Sequence, residues 1–236
     1  MKNSKSVLII TGTSSGLGKD LARYFLKKKY IVCGCSRGKS KINSRNYFHS
    51  ILDIQNEDEV KKWINNIYLK FKKIDFLINN AAIIPASFPV LLNNMNLVRK
   101  VFSSNVIGPI NLMNEVSKKM LKKKFGRIIN FSSMAAGLLE EGTSLYSSSK
   151  KSLEFYSKIF AKELSKENIT CNTIAPSMYD TPSFRELGEK IINSATKKLQ
   201  VKRKLKINEI SDIIEFLFKK ESRVINGQTI YLGLII

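Results

Sequence analysis

Apolar, strand-like segments alternate with amphipathic helical stretches along the whole of this chain, and few folds accept that pattern. Residues 6–12 (SVLIITG), 30–36 (YIVCGCS), 47–53 (YFHSILD), 74–82 (IDFLINNAA), 126–133 (GRIINFSS), 168–176 (NITCNTIAP) and 227–233 (GQTIYLG) read as strands. Between them, apolar residues recur at helical spacing, as at Leu17, Leu21, Phe25 and Leu26. A further helix follows Asn56 with acidic residues in its first turn. Helices are also predicted over about 94–124 and 144–165. Near-continuously apolar strands need cover on both faces of their sheet. The expectation is an α/β fold: a doubly wound, Rossmann-like parallel sheet of about seven strands with helices on both faces. No linker, repeat or composition break divides the chain, so residues 1–236 are expected to form one domain. Ligands of such sheets bind beyond the carboxyl ends of the strands.

The first strand ends there in Thr11-Gly12-Thr13-Ser14-Ser15-Gly16-Leu17-Gly18. Glycines let the backbone turn tightly and approach a pyrophosphate, while the helix that follows offers free N–H groups and a positive dipole end. The spacing is Gly-x-x-x-Gly-x-Gly, not the commoner Gly-x-Gly-x-x-Gly. Its place after the first strand and at the opening of a helix marks Gly12, Ser14, Ser15, Gly16, Leu17 and Gly18 as candidate cofactor contacts. The second strand ends in Ser36-Arg37. An acidic residue there would take the ribose hydroxyls of NAD, whereas a cation suits the 2′-phosphate of NADP. NADP(H) is therefore preferred, with NAD(H) the alternative. Asp53 and Ile54 end the third strand; the carboxylate either meets the adenine amino group or caps the next helix.

The chain has 40 basic and 19 acidic residues, a formal net charge of +21. The lysines fall in scattered clusters at 27–29, 122–124 and 219–220 with no aromatic-interleaved stripe, so a solvated surface is expected and no nucleic-acid partner. A nucleic-acid binder would instead show strongly salt-dependent affinity for arbitrary DNA. No apolar run approaches a membrane span, and the N-terminus lacks signal-peptide features. A cytoplasmic protein without a membrane partner is expected. The cysteines, Cys33, Cys35 and Cys171, are read as small buried hydrophobes. His49 is the only histidine, so no metal site built on imidazoles is available and no metal is expected; His49 itself is treated as incidental.

The later motifs carry a family resemblance. Thr11–Gly18, Asn79-Asn80-Ala81-Ala82, Asn105, Ser133 and Tyr146-Ser-Ser-Ser-Lys150 stand in order over nearly the whole chain. Together they resemble the short-chain dehydrogenases/reductases in their compact single-domain branch, and most generally the 3-oxoacyl-acyl-carrier-protein reductases and sugar or polyol dehydrogenases. The resemblance implies hydride transfer between a nicotinamide and a carbonyl or secondary alcohol. It implies Tyr146 as the general acid/base and Lys150 as the cation that lowers the tyrosine's pKa and meets the nicotinamide ribose. Tyr146 and Lys150 lie four apart on a predicted helix and so share a face. An unperturbed tyrosine, near 10, is too weak an acid for base chemistry at neutrality, and a nearby ammonium favours the phenolate. Ser133 is implied to donate to the substrate oxygen, with Ser132 competing for the role. Ser133 is preferred because it stands thirteen residues before Tyr146. Asn105 is implied to order a proton path to Lys150, and Asn80, Ala81, Pro176 and Thr181 to meet the cofactor.

Three positions depart from the family pattern: Ala82 and Ser177 where glycine is common, and a C-terminus without Asp-Gly-Gly. They motivate the alternative of a non-catalytic nucleotide-binding protein. Residues 183–206 correspond to the substrate lid. Its Lys197, Lys198, Lys202, Arg203 and Lys204 either meet an anionic or carrier-bound substrate or are plain surface. The helix bearing Tyr146 continues as Leu153, Phe155, Tyr156, Ile159 and Phe160, apolar over more than one stripe. A homodimer or homotetramer is expected, with the tail 234–236 as a second contact.

Overall fold

The computed structural model describes residues 5–87, 89–186, 192–193 and 196–235. Its sheet is parallel throughout, in the order β3-β2-β1-β4-β5-β6-β7. The strands are β1 (Val7–Thr11), β2 (Ile31–Ser36), β3 (Tyr47–Ile51), β4 (Phe76–Asn79), β5 (Gly126–Phe131), β6 (Ile169–Pro176) and β7 (Thr229–Leu232). The helices that position the site are α1 (Gly16–Lys27), α2 (Glu57–Phe71), α3 (Met95–Phe102), α4 (Gly108–Met120), α5 (Ala135–Leu138), α6 (Ser144–Leu164), α7 (Pro182–Arg185) and α8 (Ile207–Phe218).

β1 shows why the strands are apolar on both sides. Val7 and Ile9 join the core beneath α2, α4 and α6, with Val60, Trp63, Leu112, Met113 and Leu153. Leu8 and Ile10 join the opposite core beneath α1 and α8, with Leu21, Phe25, Ile210 and Ile214. Cys33 and Cys171 are buried in the first of these cores, with burial pushing both thiols up to about 12. Cys35 is buried and shifted in the same direction. All three are inert packing groups at neutral pH.

The expected long helix over 94–124 is not continuous. Between α3 and α4 the backbone widens into a π-helical turn, Ser103–Ile107, with Asn105 fully buried within it. Such turns are rare and gather at functional positions. The strand order reverses between β1 and β4, both of which leave the switch point to opposite sides of the sheet. The crevice there is where ligands of this architecture bind.

Candidate active site

The turn after β1 is shaped around two glycines with left-handed backbone, Gly12 at φ +76° and Gly16 at φ +54°. The Thr11 hydroxyl accepts from the Asn80 and Ala81 N–H groups at 3.0 and 2.9 Å, and the Asn80 amide donates to the Thr11 carbonyl at 3.0 Å. These bonds lock the end of β4 against the turn. Ser15 caps α1 without a side-chain hydrogen bond, and the helix has no acid in its first turn. Its leading N–H groups therefore lack side-chain acceptors.

The turn forms one wall of a cavity of about 770 Å³. Of the candidate cofactor contacts, Gly12, Ser14, Ser15, Gly16 and Leu17 line it, as do Ser36, Arg37, Asp53, Ile54, Asn80, Ala81, Pro176 and Thr181. Gly18 does not. It lies buried where a Cβ would collide with the Gly12 carbonyl oxygen and the Asn80 amide, so its part is to let helix and turn pack. Thr181 reaches the turn from the other side: its side chain is the nearest neighbour of Gly16, and its hydroxyl caps α7 by accepting from the Phe184 N–H.

Arg37 is exposed at the rim, with no acidic partner among the described residues. Asp53 does not cap α2. Asn56 does, accepting from the Asp58 and Glu59 N–H groups, while the Asp53 carboxylate is held by Gln55. His49, expected to be incidental, braces the same corner. Its Nε2 lies 2.9 Å from the Gly38 carbonyl and its Nδ1 3.0 Å from the Tyr47 hydroxyl, tying β3 to the loop that carries Arg37.

Ser133, Tyr146 and Lys150 form another part of the cavity wall. Burial of the phenol pushes Tyr146 up to about 12, and the Ser133 hydroxyl acts in the lowering direction. Lys150 is buried, its Nζ donating to the Phe131 carbonyl at 2.8 Å and standing 5.7 Å from the Tyr146 ring centre. Burial lowers the ammonium to about 8. The ammonium thus points to a strand carbonyl and is itself destabilised by desolvation.

Asn105 lies behind this wall and does not line the cavity. Its Oδ1 accepts from the Ile83 N–H at 2.8 Å, and its Nδ2 donates to the Ile83 carbonyl at 2.9 Å and the Ser149 hydroxyl at 3.1 Å. It holds the loop after β4 against α6. The two competing serines separate clearly: Ser133 faces Tyr146, whereas Ser132 turns its hydroxyl to the buried Glu154 carboxylate at 2.6 Å.

A family model described as short chain dehydrogenase matches residues 6–192. The chain belongs to that family. Membership makes it a nicotinamide-dependent oxidoreductase. It is 32% identical over 240 residues to the 3-oxoacyl-(acyl-carrier-protein) reductase FabG of Buchnera aphidicola subsp. Baizongia pistaciae, covering 99% of this chain and 98% of that one. Among solved structures it is similar to ElxO with NADP bound, at 27% identity and a TM-score of 0.89, with 97% of each chain covered. It is also similar to the aldohexose dehydrogenase of Thermoplasma acidophilum, at 25% identity and a TM-score of 0.88, covering 98% of this chain and 94% of that one.

The departures from the family pattern are accommodated. Ala82 is exposed on the cavity wall. Ser177 fits because Gly233, at φ +79°, has no side chain where a Cβ would press on the serine hydroxyl. The lid expectation is only partly tested, since 187–191 and 194–195 lie outside the described residues. Of its cations, Lys198 pairs with Glu140, Arg203 with Glu209 and Lys204 with Asp180. Lys197 and Lys202 have no acidic partner among the described residues. The tail does not behave as one contact surface: Leu234 is buried against Met178, Phe184 and Leu199, Ile235 is exposed, and Ile236 lies outside the described residues. Among the described residues no helix is long and apolar enough to cross a membrane, and no cluster of three or more His, Cys, Asp or Glu side chains forms.

Proposed function

We propose that this chain is an NADP(H)-dependent reductase of 3-oxoacyl thioesters, with Tyr146 as its acid. The observation that carries the reading is that Ser133, Tyr146 and Lys150 line one cavity together with an uncapped helix N-terminus. The glycine turn leaves space where side chains would intrude, and the free N–H groups of α1 suit a pyrophosphate. Gly12, Ser14, Ser15, Gly16 and Leu17 would hold that group, Ser36 and Arg37 the 2′-phosphate, and Asp53 and Ile54 the adenine. Asn80, Ala81, Pro176 and Thr181 would hold the nicotinamide half, with Lys150 on its ribose. Exposed and without an acidic partner, Arg37 supports the phosphorylated dinucleotide over NAD(H).

Bound there, the dinucleotide supplies the hydride. The protein's part is orientation and proton delivery. Ser133 donates to the substrate carbonyl oxygen and holds it beside the phenol. Tyr146, protonated at neutral pH by virtue of its burial, gives its proton to that oxygen as the carbonyl becomes an alcohol. Lys150, with a pKa near neutrality, is suited to return a proton to the tyrosine. Asn105 ties the backbone at Ile83 to Ser149, the residue before Lys150.

The substrate end of the cavity includes Ile84, Met134, Leu138, Leu145, Phe184 and Ile192. Such a wall favours an acyl chain over a polyhydroxyl sugar, in agreement with the reductases among the relatives. Lys197 and Lys202, without acidic partners, are the cations left to meet a carrier. Phe155 and Ile159 are exposed along α6, which supports pairing of two copies into a homodimer or homotetramer, as light scattering would read. Purified protein should oxidise NADPH in the presence of a 3-oxoacyl pantetheine thioester, and Tyr146→Phe should abolish this. Turnover surviving that substitution overturns the mechanism. Calorimetric binding of NADPH with no turnover on a panel of ketones would favour the non-catalytic alternative.

A further inference from the structure

Helix α6 carries Tyr146, Lys150 and Glu154 at successive steps of four, which places all three on one face. Each engages one of three consecutive residues where β5 ends. Tyr146 has the Ser133 hydroxyl acting on its phenol, Lys150 donates to the Phe131 carbonyl, and Glu154 accepts from the Ser132 hydroxyl. The first two contacts belong to the reaction just described. The third has no part in it.

Glu154 is only 2% exposed. A carboxylate at that depth is costly unless its oxygens are satisfied. Both are: Oε1 takes Ser132 at 2.6 Å, Oε2 takes Lys151 Nζ at 2.9 Å, and the Tyr231 hydroxyl lies 3.1 and 3.3 Å from the two. Tyr231 stands in β7 opposite Ala175 of β6, one residue before Pro176 on the cavity wall. One carboxylate thus joins the serine end of β5, the tyrosine–lysine helix and the strand pair leading to the β6 loop. Filling space alone would not require it, because an apolar side chain of similar volume often serves as well or better in place of a buried ionic group.

We propose that Glu154 is a positioning residue for the reduction. It holds Ser132, and through the backbone between them it sets the Ser133 hydroxyl against Tyr146. The inference rests on the reading of Ser133 and Tyr146 given above.

The test measures kcat, KM for NADPH and for the 3-oxoacyl pantetheine thioester, and melting temperature. The variants are Ser132→Ala, Glu154→Gln, Glu154→Ala and the double substitution Ser132→Ala/Glu154→Gln, with Tyr146→Phe as a control. Misplacing a reacting group by a fraction of an ångström to an ångström lowers turnover by about tenfold to a hundredfold. Each single variant is expected to lose kcat in that range while KM for NADPH stays within about twofold. Gln, which keeps the shape and an acceptor, is expected to retain more activity than Ala. The double variant is expected to be no worse than the poorer single one, because Ser132→Ala already removes the contact that Glu154→Gln weakens. The proposal is overturned if Ser132→Ala turns over like the parent protein, if the two losses multiply, or if activity merely follows the folded fraction. Ser132→Ala removes one oxygen atom, which keeps the test open should the Glu154 variants fail to fold. A fully active Tyr146→Phe protein is a different result: it removes the reading of the site, whatever Ser132→Ala does.

Discussion

Replacing Lys150 with methionine should yield a more stable protein that no longer turns over. Lys150 is 3% exposed, and burial lowers its ammonium from 10.5 to about 8. At about 1.4 kcal/mol per pH unit, that gap corresponds to about 3 kcal/mol of cost for keeping the charge in the folded state. Methionine has similar length and no charge, but gives up the charge-assisted bond to the Phe131 carbonyl, worth about 2 kcal/mol. The net gain at pH 7 is about 1 kcal/mol, or roughly 2–4 °C in Tm for a chain of this size. The sign with pH follows from proton binding. The unfolded chain keeps the proton up to 10.5, whereas the folded one releases it near 8, so parent stability rises between those values. The advantage of Lys150→Met is therefore full below about pH 8 and is lost as pH rises toward 10.5. Urea denaturation of both proteins without cofactor, at pH 7 and at pH 10, reads the difference directly. Loss of the proton donor's partner should cost about a hundredfold or more in turnover. A variant less stable than the parent at pH 7, or equally stabilised at both pH values, refutes the desolvation argument.

Three further outcomes follow from the geometry. With its phenol raised to about 12, Tyr146 stays protonated, so ketone reduction should be nearly flat from about pH 6 to 7 and fall as Lys150 releases its proton near 8, while alcohol oxidation climbs with pH; initial rates in both directions test this. Arg37→Asp should raise KM for NADPH by about tenfold to a hundredfold, the worth of a charge-assisted phosphate contact, and leave KM for NADH equal or lower. Gly18→Ala should lose about 1–3 kcal/mol in denaturant unfolding, because its methyl has to displace the Gly12 carbonyl and the Asn80 amide.

The sheet was legible because both faces of β1 need cover, which leaves no polar alternation in VLIIT. Strand ends were less so. The fourth strand, expected over 74–82, pairs only across Phe76–Asn79, since Asn80 and Ala81 leave the ladder to bond the Thr11 hydroxyl. That partner is distant in sequence, and local pattern contains no trace of it. The π-helical turn at Ser103–Ile107 was hidden for the same reason: helical periodicity reads a continuous run, while its buried Asn105 bonds across to Ile83. His49 was passed over because its polar surroundings in sequence do not reveal the Gly38 carbonyl opposite. Spacing puts Lys150 on the face of Tyr146 but says nothing of where the ammonium points, which is the Phe131 carbonyl.

Glu154 is the instructive case, since a signal for it existed. The run Leu153, Phe155, Tyr156, Ile159 and Phe160 marks α6 as apolar on more than one side, and a glutamate inside such a run is either exposed or paired. Its spacing of eight from Tyr146 decides between these, because that face of the helix looks inward at the end of β5. The same geometry explains why two adjacent serines are not rivals. Both hydroxyls meet the inward face of α6, Ser133 at Tyr146 and Ser132 two turns further on at Glu154, so each has its own partner. Thirteen residues of spacing select Ser133 in the sequence, and a buried carboxylate engages the Ser132 hydroxyl in the structure.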